Sequence, residues 1–383
     1  MTGDWIDTTI GELAVVTRGA SPRPISSDRW FDDAGKVGWI RIADVNRSNG
    51  RELKVTSQRL SEDGILRSRF LDSGTLILSI AASVGIPVIT QIPACIHDGF
   101  VALTSVNADQ KFMLYLLKAA EGRLREAGQS GSQMNINSDI VRGLPVKIPA
   151  DFAEQKAISS ALWEKDDLIS SLERLISKKQ AIKQGMMQEL LTGRRRLQGF
   201  SKSWQATTFG DLVRIQRGSV LTRAQAGSGR IPVVAGGKAP AGYTDKANRM
   251  GRTITISASG ASAGYVALYN EPIFASDCST ISSSRHYDLD FIYYSLLLRQ
   301  DDIYRAQTGG AQPHIHACDV YPMEIRVPTD MQEQIAIAQV LVDADKEIMA
   351  LERRLESARG IKQGMMQELL TGRTRLPFEG ESA

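Results

Sequence analysis

The stretch KQGMMQELLTGR occupies residues 183–194, and the same twelve residues occur again at 362–373. Twelve identical residues in a row do not recur by chance in a chain of 383 residues, so the sequence contains an internal repeat. At the same separation of 179 residues, the Glu-Gln pair at 154–155 corresponds to the pair at 333–334. The repeat therefore includes the segment that leads into each copy.

A weaker echo lies upstream of each copy. TTIGEL at 8–13 resembles TTFGDL at 207–212, and Trp5 matches Trp204, now 199 residues apart. Matching residues are 199 positions apart at the start of the blocks but only 179 apart in the repeated segments. The first variable block is therefore about twenty residues longer than the second. The chain is thus a variable block followed by a repeated segment, twice.

The repeated segments have the hydrophobic spacing of long helices. Apolar residues recur at alternating spacings of four and three over Ile337–Ala358, which is an a/d seam, and Ile158–Ile176 keeps most of that seam. A helix over Glu154–Leu191 would be about 57 Å long, which exceeds the length of a domain of this size. We therefore expect an antiparallel coiled coil that relates the halves by a pseudo-twofold axis. The alternative is two separate helices, each packed on its own domain.

The ends of both helices carry boundary signals. Pro149 and Pro328 precede the helices and are expected to end the strands before them. Gly193 and Gly372 follow the last helical turns and are suited to left-handed C-terminal caps.

The variable blocks have the composition of mixed α/β domains. Strands are predicted at Val37–Val45, Thr75–Ile80, Pro87–Thr90, Val146–Ile148, Ile231–Ala235, Thr253–Ser257, Gly264–Tyr269 and Glu324–Val327, and short helices at Phe112–Ala119 and Asp290–Leu298. The expected fold class is α+β, with two mixed α/β domains joined by the two long helices. The expected boundaries are 1–150 and 200–330 for the domains, 151–199 for the first helix with its linker, and 331–383 for the second helix with its tail.

Composition narrows the class of protein. No apolar run approaches the roughly 20 residues of a membrane span, and no export signal is visible, so we expect a cytoplasmic protein without a membrane partner. Cys95, Cys278 and Cys318 are far apart, which argues against a disulfide framework. The net charge of +3 is a weak signal for nucleic-acid binding, so any DNA function must rest on other features.

No catalytic or cofactor motif is present. The segment around Lys238 (Gly-Gly-Lys-Ala) lacks the spacing of a phosphate-binding loop, and neither a GxGxxG motif between a strand and a helix nor an Asp/Asn-Pro-Pro-aromatic tetrapeptide occurs. His314, His316 and Cys318 could hold a metal ion. The favoured interpretation is that the two histidines replace Asn135 and Asn137 of the first block as hydrogen-bonding groups. We therefore expect no cofactor and no catalytic residue.

Polar loops lie at corresponding places in the two blocks. Residues 128–137 match 308–316, residues 79–83 match 257–262, and residues 17–23 match 216–223. Gln and Asn can pair with adenine and Arg with guanine, whereas Ser and Thr suit phosphate. Solvated loops also favour such residues. Equivalent loops on blocks that have otherwise diverged nevertheless suggest one scaffold that reads two targets. Asp98 and Asp277 are expected to accept hydrogen bonds from backbone amides.

This organisation resembles the DNA-specificity subunits of Type I restriction-modification enzymes, the HsdS family. The resemblance covers the whole chain and rests on the loop at 131–137, the Pro-x-x-x-x-Glu-Gln lead into each helix and the repeated helix ends. It implies a non-catalytic subunit with two target-recognition domains, each reading one half of a bipartite, asymmetric site in double-stranded DNA. The repeated helices would set the distance between the half-sites and bind two methyltransferase (M) subunits, through which nuclease and translocase (R) subunits join.

The expected DNA-contacting residues are the polar side chains of the corresponding loops: Arg18, Ser21, Arg23, Arg41, Ser79, Ser83, Ser130, Ser132, Gln133, Asn135 and Asn137, then Arg217, Arg223, Lys238, Ser257, Ser262, Thr308, Gln312, His314 and His316. The expected partner-binding residues come from the repeated helix ends: Lys183, Met186, Met187, Leu190, Lys362, Met365, Met366 and Leu369. A different class of function remains open, namely a non-catalytic coiled-coil scaffold with two divergent ligand-binding domains.

Overall fold

A computed structural model describes residues 4–128, 136–221 and 229–376. The contacts divide the chain into two compact units: unit 1 comprises Met1–Ser171 with Leu355–Ala383, and unit 2 comprises Leu172–Arg354. Among the described residues, no helix is both long and apolar enough to cross a membrane.

The described residues of unit 1 contain eleven strands. The first and the last of these strands pair with each other and bring together the two ends of the variable block. The strands β1–β11 are Trp5–Thr9, Val15–Arg18, Val37–Ile40, Glu52–Leu53, Gln58–Leu60, Arg69–Leu71, Leu76–Ser79, Pro87–Thr90, Ala94–Ile96, Phe100–Thr104 and Pro145–Pro149. They form a five-stranded sheet (β2-β10-β7-β8-β4), a four-stranded sheet (β5-β3-β9-β6) and the antiparallel pair β1-β11. The helices α1–α6 are Ile10–Leu13, Ile42–Arg47, Glu62–Leu66, Gln110–Ala119, Glu121–Gly128 and Ser138–Arg142.

Unit 2 repeats this plan with fewer elements. After the long helix α7 (Phe152–Leu190), the strands β12–β20 are Trp204–Thr208, Gln216–Arg217, Ile231–Val234, Gly242–Thr244, Thr253–Ser257, Val266–Tyr269, Phe274–Ala275, Cys278–Ser282 and Glu324–Pro328. The helices α8–α12 are Phe209–Leu212, Leu289–Leu298, Gln300–Arg305, Ala317–Val320 and the second long helix, Met331–Leu369. The pair β12-β20 has the same register as β1-β11, because Trp204 faces Pro328 as Trp5 faces Pro149.

The long helices confirm the predicted seam. Ile337 and Leu341 are fully buried, as are Ile158 and Leu162 in the first copy. In unit 2, Lys183 pairs with Asp345 and Lys179 with Glu347. The residue number decreases from Lys183 to Lys179 on the first helix while that of its partner increases from Asp345 to Glu347 on the second. The two helices therefore run antiparallel. In unit 1 the order is the same, since Lys362 pairs with Asp166 while Arg375 reaches Glu154.

The predicted boundary residues take the expected conformations. Strands β11 and β20 end at Pro149 and Pro328, and Gly193 and Gly372 both have a φ of +71° after the last helical turns. A non-glycine residue there would be strained.

One strand prediction is wrong over half its length. The segment Val37–Val45 forms a strand only as far as Ile40, and helix α2 then begins. The Asp44 carboxylate accepts a hydrogen bond from the Arg41 backbone amide at 3.0 Å, which caps a helix rather than extending a strand.

Candidate DNA interface and helix ends

An open cleft in unit 1 brings together three of the predicted DNA-contacting residues. Ser21, Arg23 and Arg41 line a cleft of about 430 Å³, together with Trp39 and Asp98. Ser21 and Arg23 follow strand β2, Arg41 follows β3 and Asp98 follows β9. Segments distant in sequence therefore meet at one end of the two larger sheets.

Asp98 organises this cleft. Its Oδ1 accepts a hydrogen bond from Ser21 Oγ at 2.6 Å, and its Oδ2 lies 3.4 Å from the guanidinium of Arg23. Arg18 Nε donates to the backbone carbonyl of Asp98 at 3.0 Å. The Ser21 hydroxyl is the main cause that lowers the pKa of Asp98, so the carboxylate is ionised at neutral pH.

The expected role of Asp98 and Asp277 needs correction. Both were predicted to accept from backbone amides, but each carboxylate accepts from a serine hydroxyl instead. In unit 2 the donor is Ser259, whose Oγ bonds Asp277 Oδ2. A hydroxyl from another loop reaches these carboxylates because each aspartate lies where two loops converge.

Unit 2 has a corresponding loop cluster, which forms around Ser259. His314 forms antiparallel bridges with Ser259 and with Thr308, and its ring stacks on that of His316 at 6.2 Å. Gln312 is exposed in the same loop. His314 is thus bridged both to Thr308 and to Ser259, whose hydroxyl bonds Asp277, and its ring is stacked on that of His316.

The asparagine and histidine that correspond in the two blocks occupy the same structural position. Asn137 caps helix α6, its side chain accepting from the Ile140 amide at 2.8 Å, and His316 precedes α11. Among the described ranges, no group of three or more His, Cys, Asp or Glu residues could hold a metal ion. Cys318 lies near Asp319 instead, with its sulfur 3.8 Å from that carboxylate.

Two arginines that sequence reasoning missed lie beside the predicted ones. Arg69 Nε donates to the backbone carbonyl of Arg18 at 3.4 Å, and Arg249 Nη2 donates to that of Arg217 at 3.1 Å. The two contacts correspond, because Arg18 and Arg217 occupy the same place in the upstream echo. Each unit therefore carries a pair of neighbouring arginines at the end of its second strand.

Ser79 and Ser257 cannot contact DNA as predicted. Ser79 is fully buried, donates to the Ser83 carbonyl and accepts from the Ile86 amide at 3.0 Å. Ser257 is 3% exposed and donates to the Gly236 carbonyl at 2.9 Å. A buried hydroxyl whose hydrogen bonds are already made stabilises its loop and is not free to reach a base.

The remaining predicted residues are accessible or lie outside the described ranges. Ser83 and Ser262 are half-buried, and Lys238 is exposed with its Nζ 5.4 Å from the ring of Tyr265. The predicted contacts that fall outside the described residues are Ser130, Ser132, Gln133, Asn135 and Arg223.

The two lysines predicted to bind a partner are held inside their units. Lys362 Nζ lies 2.7 Å from Asp166 Oδ1, and Tyr115 Oη donates to Oδ2 of the same carboxylate at 2.7 Å. In unit 2, Lys183 and Tyr294 bind Asp345 in the same way, at 2.5 and 2.7 Å. These contacts explain why lysine recurs in both copies, and they correct the expectation that it faces a partner.

Several predicted partner residues belong to the hydrophobic cores. Met187 and Leu190 are 3% and 5% exposed in the core of unit 2, and Leu369 is 3% exposed in that of unit 1. Met186, Met365 and Met366 are half-buried and retain accessible surface. Of the predicted set, these three methionines can contact another protein.

The repeated Glu-Gln motif has a structural role. Glu154 and Glu333 are fully buried and pair with Arg375 and Arg196, arginines that follow the other long helix. Gln155 accepts from the Asp109 amide at 2.9 Å and donates to the Pro149 carbonyl at 2.8 Å. The motif thus joins the start of each long helix to the end of the other and to its domain.

An apolar groove lies beside the end of each repeat. In unit 1 it has a volume of about 730 Å³ and is lined by Leu116, Val146, Met366 and Leu370 among others. In unit 2 a groove of about 220 Å³ occupies the corresponding position, with Leu191, Phe209, Leu298 and Ile325 in its lining.

The two buried thiols are not nucleophiles. Burial raises the pKa of both Cys95 and Cys278 to about 12, so each stays protonated at neutral pH.

Comparison with known proteins identifies the family. A family model described as the Type I restriction modification DNA specificity domain matches residues 2–184 and 201–358, one match for each half of the chain. The chain belongs to the Type I restriction-modification DNA specificity family. The resemblance seen in the sequence is therefore confirmed.

Named members of the family are distant relatives. The chain is 28% identical over 175 residues to a putative type I specificity subunit of Mycoplasma pneumoniae, a match that covers 45% of this chain and 46% of that protein. The chain thus spans about half the length of this relative. It is 23% identical over 328 residues to the specificity subunit of the Type I restriction enzyme MjaVIII of Methanocaldococcus jannaschii, covering 73% and 75% of the two chains.

A solved structure has the same fold. The crystal structure of a Type I restriction-modification S subunit from M. genitalium aligns over 96% of both chains with a TM-score of 0.69 at 18% identity. The predicted fold class, with two mixed α/β domains and two long antiparallel helices, is thereby confirmed.

Proposed function

We propose that this chain is the non-catalytic subunit that reads DNA for a Type I restriction-modification complex. Each variable block binds one half of a bipartite, asymmetric site in double-stranded DNA. The observation that carries the proposal is the loop cluster of each unit, where Asp98 and Asp277 occupy corresponding positions among different side chains. One scaffold with two sets of loop residues suits a protein that reads two different half-sites.

The long helices suit a spacer between the half-sites. Each contains 39 residues and is about 58 Å long at 1.5 Å per residue. This length exceeds one turn of B-DNA, about 34 Å, so a spacer of this kind could serve domains that read successive major grooves.

The two apolar grooves are the proposed docking sites for methyltransferase subunits. Each groove contains residues of the identical repeat, Met366 and Leu370 in unit 1 and Leu191 in unit 2. A partner present in two copies requires a similar surface in each unit, and methionine adapts readily to a protein partner. Nuclease and translocase subunits would join through the methyltransferase subunits, and the whole complex would act in the cytoplasm.

The test is to express the chain with its methyltransferase subunits and map the methylated DNA motif. We expect a bipartite motif, and exchanging residues 200–330 for those of a relative should change one half only. A change in both halves, or in neither, would contradict the assignment of one block to each half-site.

A second measurement separates this function from that of a scaffold. The purified complex should bind duplex DNA with an affinity that falls as salt rises, because phosphate contacts release counterions. Purified chain alone should neither methylate nor cleave DNA. A complex without salt-dependent DNA binding would favour the scaffold.

A further inference from the structure

The cleft around Asp98 holds one arginine ready for a ligand. Arg23 has a side chain that is 74% exposed, and its guanidinium lies 3.4 Å from Asp98 Oδ2. Because Ser21 occupies the other carboxylate oxygen at 2.6 Å, the orientation of the carboxylate is set from both sides. One edge of the guanidinium is thus held by protein while most of the side chain faces solvent.

The charge around Arg23 favours a base over a phosphate. Asp98 places a negative charge next to the guanidinium, which a phosphate would approach unfavourably. The N7 and O6 atoms of guanine are neutral acceptors that match the two parallel donors of an arginine. The exposed arginines nearby, Arg18, Arg41 and Arg69, remain available for phosphates.

Unit 2 uses the corresponding aspartate differently. Asp277 binds Ser259, which lies in the loop after strand β16, and Val220 stands where Ser21 stands in unit 1. Val220 is 86% exposed and cannot hold a carboxylate. Among the residues that the structure describes, the arrangement of Ser21, Arg23 and Asp98 therefore occurs in unit 1.

We propose that Arg23, held by Ser21-oriented Asp98, reads a guanine in the major groove of the half-site bound by unit 1. Arg23 is the specificity-determining residue, and Asp98 is a positioning residue that acts through it. The inference rests on the proposed DNA-reading function and names the base that one side chain recognises.

The experiment uses the full chain in complex with its methyltransferase subunits and DNA duplexes carrying its methylated motif. Exchange of residues 200–330 shows which half of the motif belongs to unit 2, and the other half belongs to unit 1. Wild-type complex should prefer guanine at one position of that half by roughly 5- to 150-fold over other bases. Arg23→Ala should abolish this preference, Arg23→Lys and Asp98→Asn should weaken it, and the other half-site should be read as before.

Arg29→Ala is the matched control. Arg29 forms an ion pair of similar length with Asp63, at 3.2 Å, and is likewise exposed, but it does not line the cleft. The control should keep the guanine preference. A unit 1 half-site without guanine, or an Arg23→Ala complex that still prefers guanine, would overturn the inference while leaving the proposed function intact. A wild-type complex that methylates no bipartite site would instead overturn the proposed function itself.

Discussion

Replacing Tyr294 by phenylalanine tests the hydrogen bonds that tie helix α9 to the second long helix. Tyr294 is 2% exposed, and its hydroxyl donates to Asp345 Oδ2 at 2.7 Å while Lys183 binds Oδ1. Burial and the carboxylate raise the pKa of Tyr294, so the hydroxyl keeps its proton and remains a donor. A hydrogen bond to a charged group contributes about 1.5–3 kcal/mol. We expect Tyr294→Phe to lower the free energy of unfolding by that amount.

Tyr287 provides a control with a neutral acceptor. It is 6% exposed, and its hydroxyl donates to the Ser282 carbonyl, also at 2.7 Å. The geometry matches that of Tyr294, but a hydrogen bond between neutral groups contributes only about 0.5–1.5 kcal/mol. Tyr287→Phe should therefore cost less. Tyr115→Phe in unit 1 should behave like Tyr294→Phe, because Tyr115 makes the same contact with Asp166.

The measurement is equilibrium unfolding of the full chain in urea, followed by circular dichroism. The midpoints are compared between variants whose slopes are unchanged, since a changed slope reports altered compactness rather than a lost contact. A loss for Tyr287→Phe as large as that for Tyr294→Phe, or a loss below about 0.5 kcal/mol for Tyr294→Phe, would refute the reasoning from acceptor charge.

Three further changes have defined outcomes. Burial lowers the pKa of Lys118 to about 8, whereas its ordinary pKa is 10.5. Between these two pH values the unfolded chain binds more protons than the folded chain, so the free energy of unfolding rises with pH. Lys118→Leu, which copies Leu297 of unit 2, should therefore stabilise the chain at pH 7, and urea titrations should show that this gain shrinks above pH 8. Gly372→Ala should lower the free energy of unfolding by more than about 1 kcal/mol and so lower the melting temperature, because φ is +71° and the new Cβ would lie 2.8 Å from Trp5. Gly360→Ala is the control: its Cβ would meet open space, so this substitution within the helix should raise the melting temperature. One heptad added to both long helices should lengthen each by about 10 Å and add about three unspecified base pairs to the methylated motif; an unchanged gap in an active complex would show that the helices do not set the spacing.

The long helices could be predicted because their signal is local and repeated. Two copies of one heptad seam, each ended by glycine, leave little choice of structure. Most of the seam residues are buried as expected, while Ala344 and Leu351 are half-buried. Strands Pro87–Thr90 and Thr253–Ser257 were also predicted with their observed bounds. The error at Val37–Val45 arose because the Asp44 carboxylate accepts hydrogen bonds from the backbone amides of Arg41 and Ser57, contacts that strand propensity does not predict.

The geometry of the cleft could not be predicted from the sequence. Arg23 and Asp98 are 75 residues apart, and no local sequence pattern predicts that their side chains are in contact. Arg69 was missed because it is not part of the echo between the blocks. Lys183 and Lys362 look like surface residues in a helical pattern, and only the position of an aspartate on the other helix shows that they are held internally.

The two units differ in how their residues are distributed along the sequence, and this difference sets the order in which the units are completed during synthesis. Unit 2 is one continuous stretch, whereas unit 1 takes Leu369 and Leu370 into its core and uses Arg375 to neutralise buried Glu154. Domains fold as units as they leave the ribosome. All residues of unit 2 are therefore synthesised before those that complete unit 1, whose core stays open on one side until Leu369, Leu370 and Arg375 have been added. A chain that ends after residue 354 would keep every residue of unit 2 but lack those that close the core of unit 1, so loss of the second repeat destabilises the first unit rather than the second.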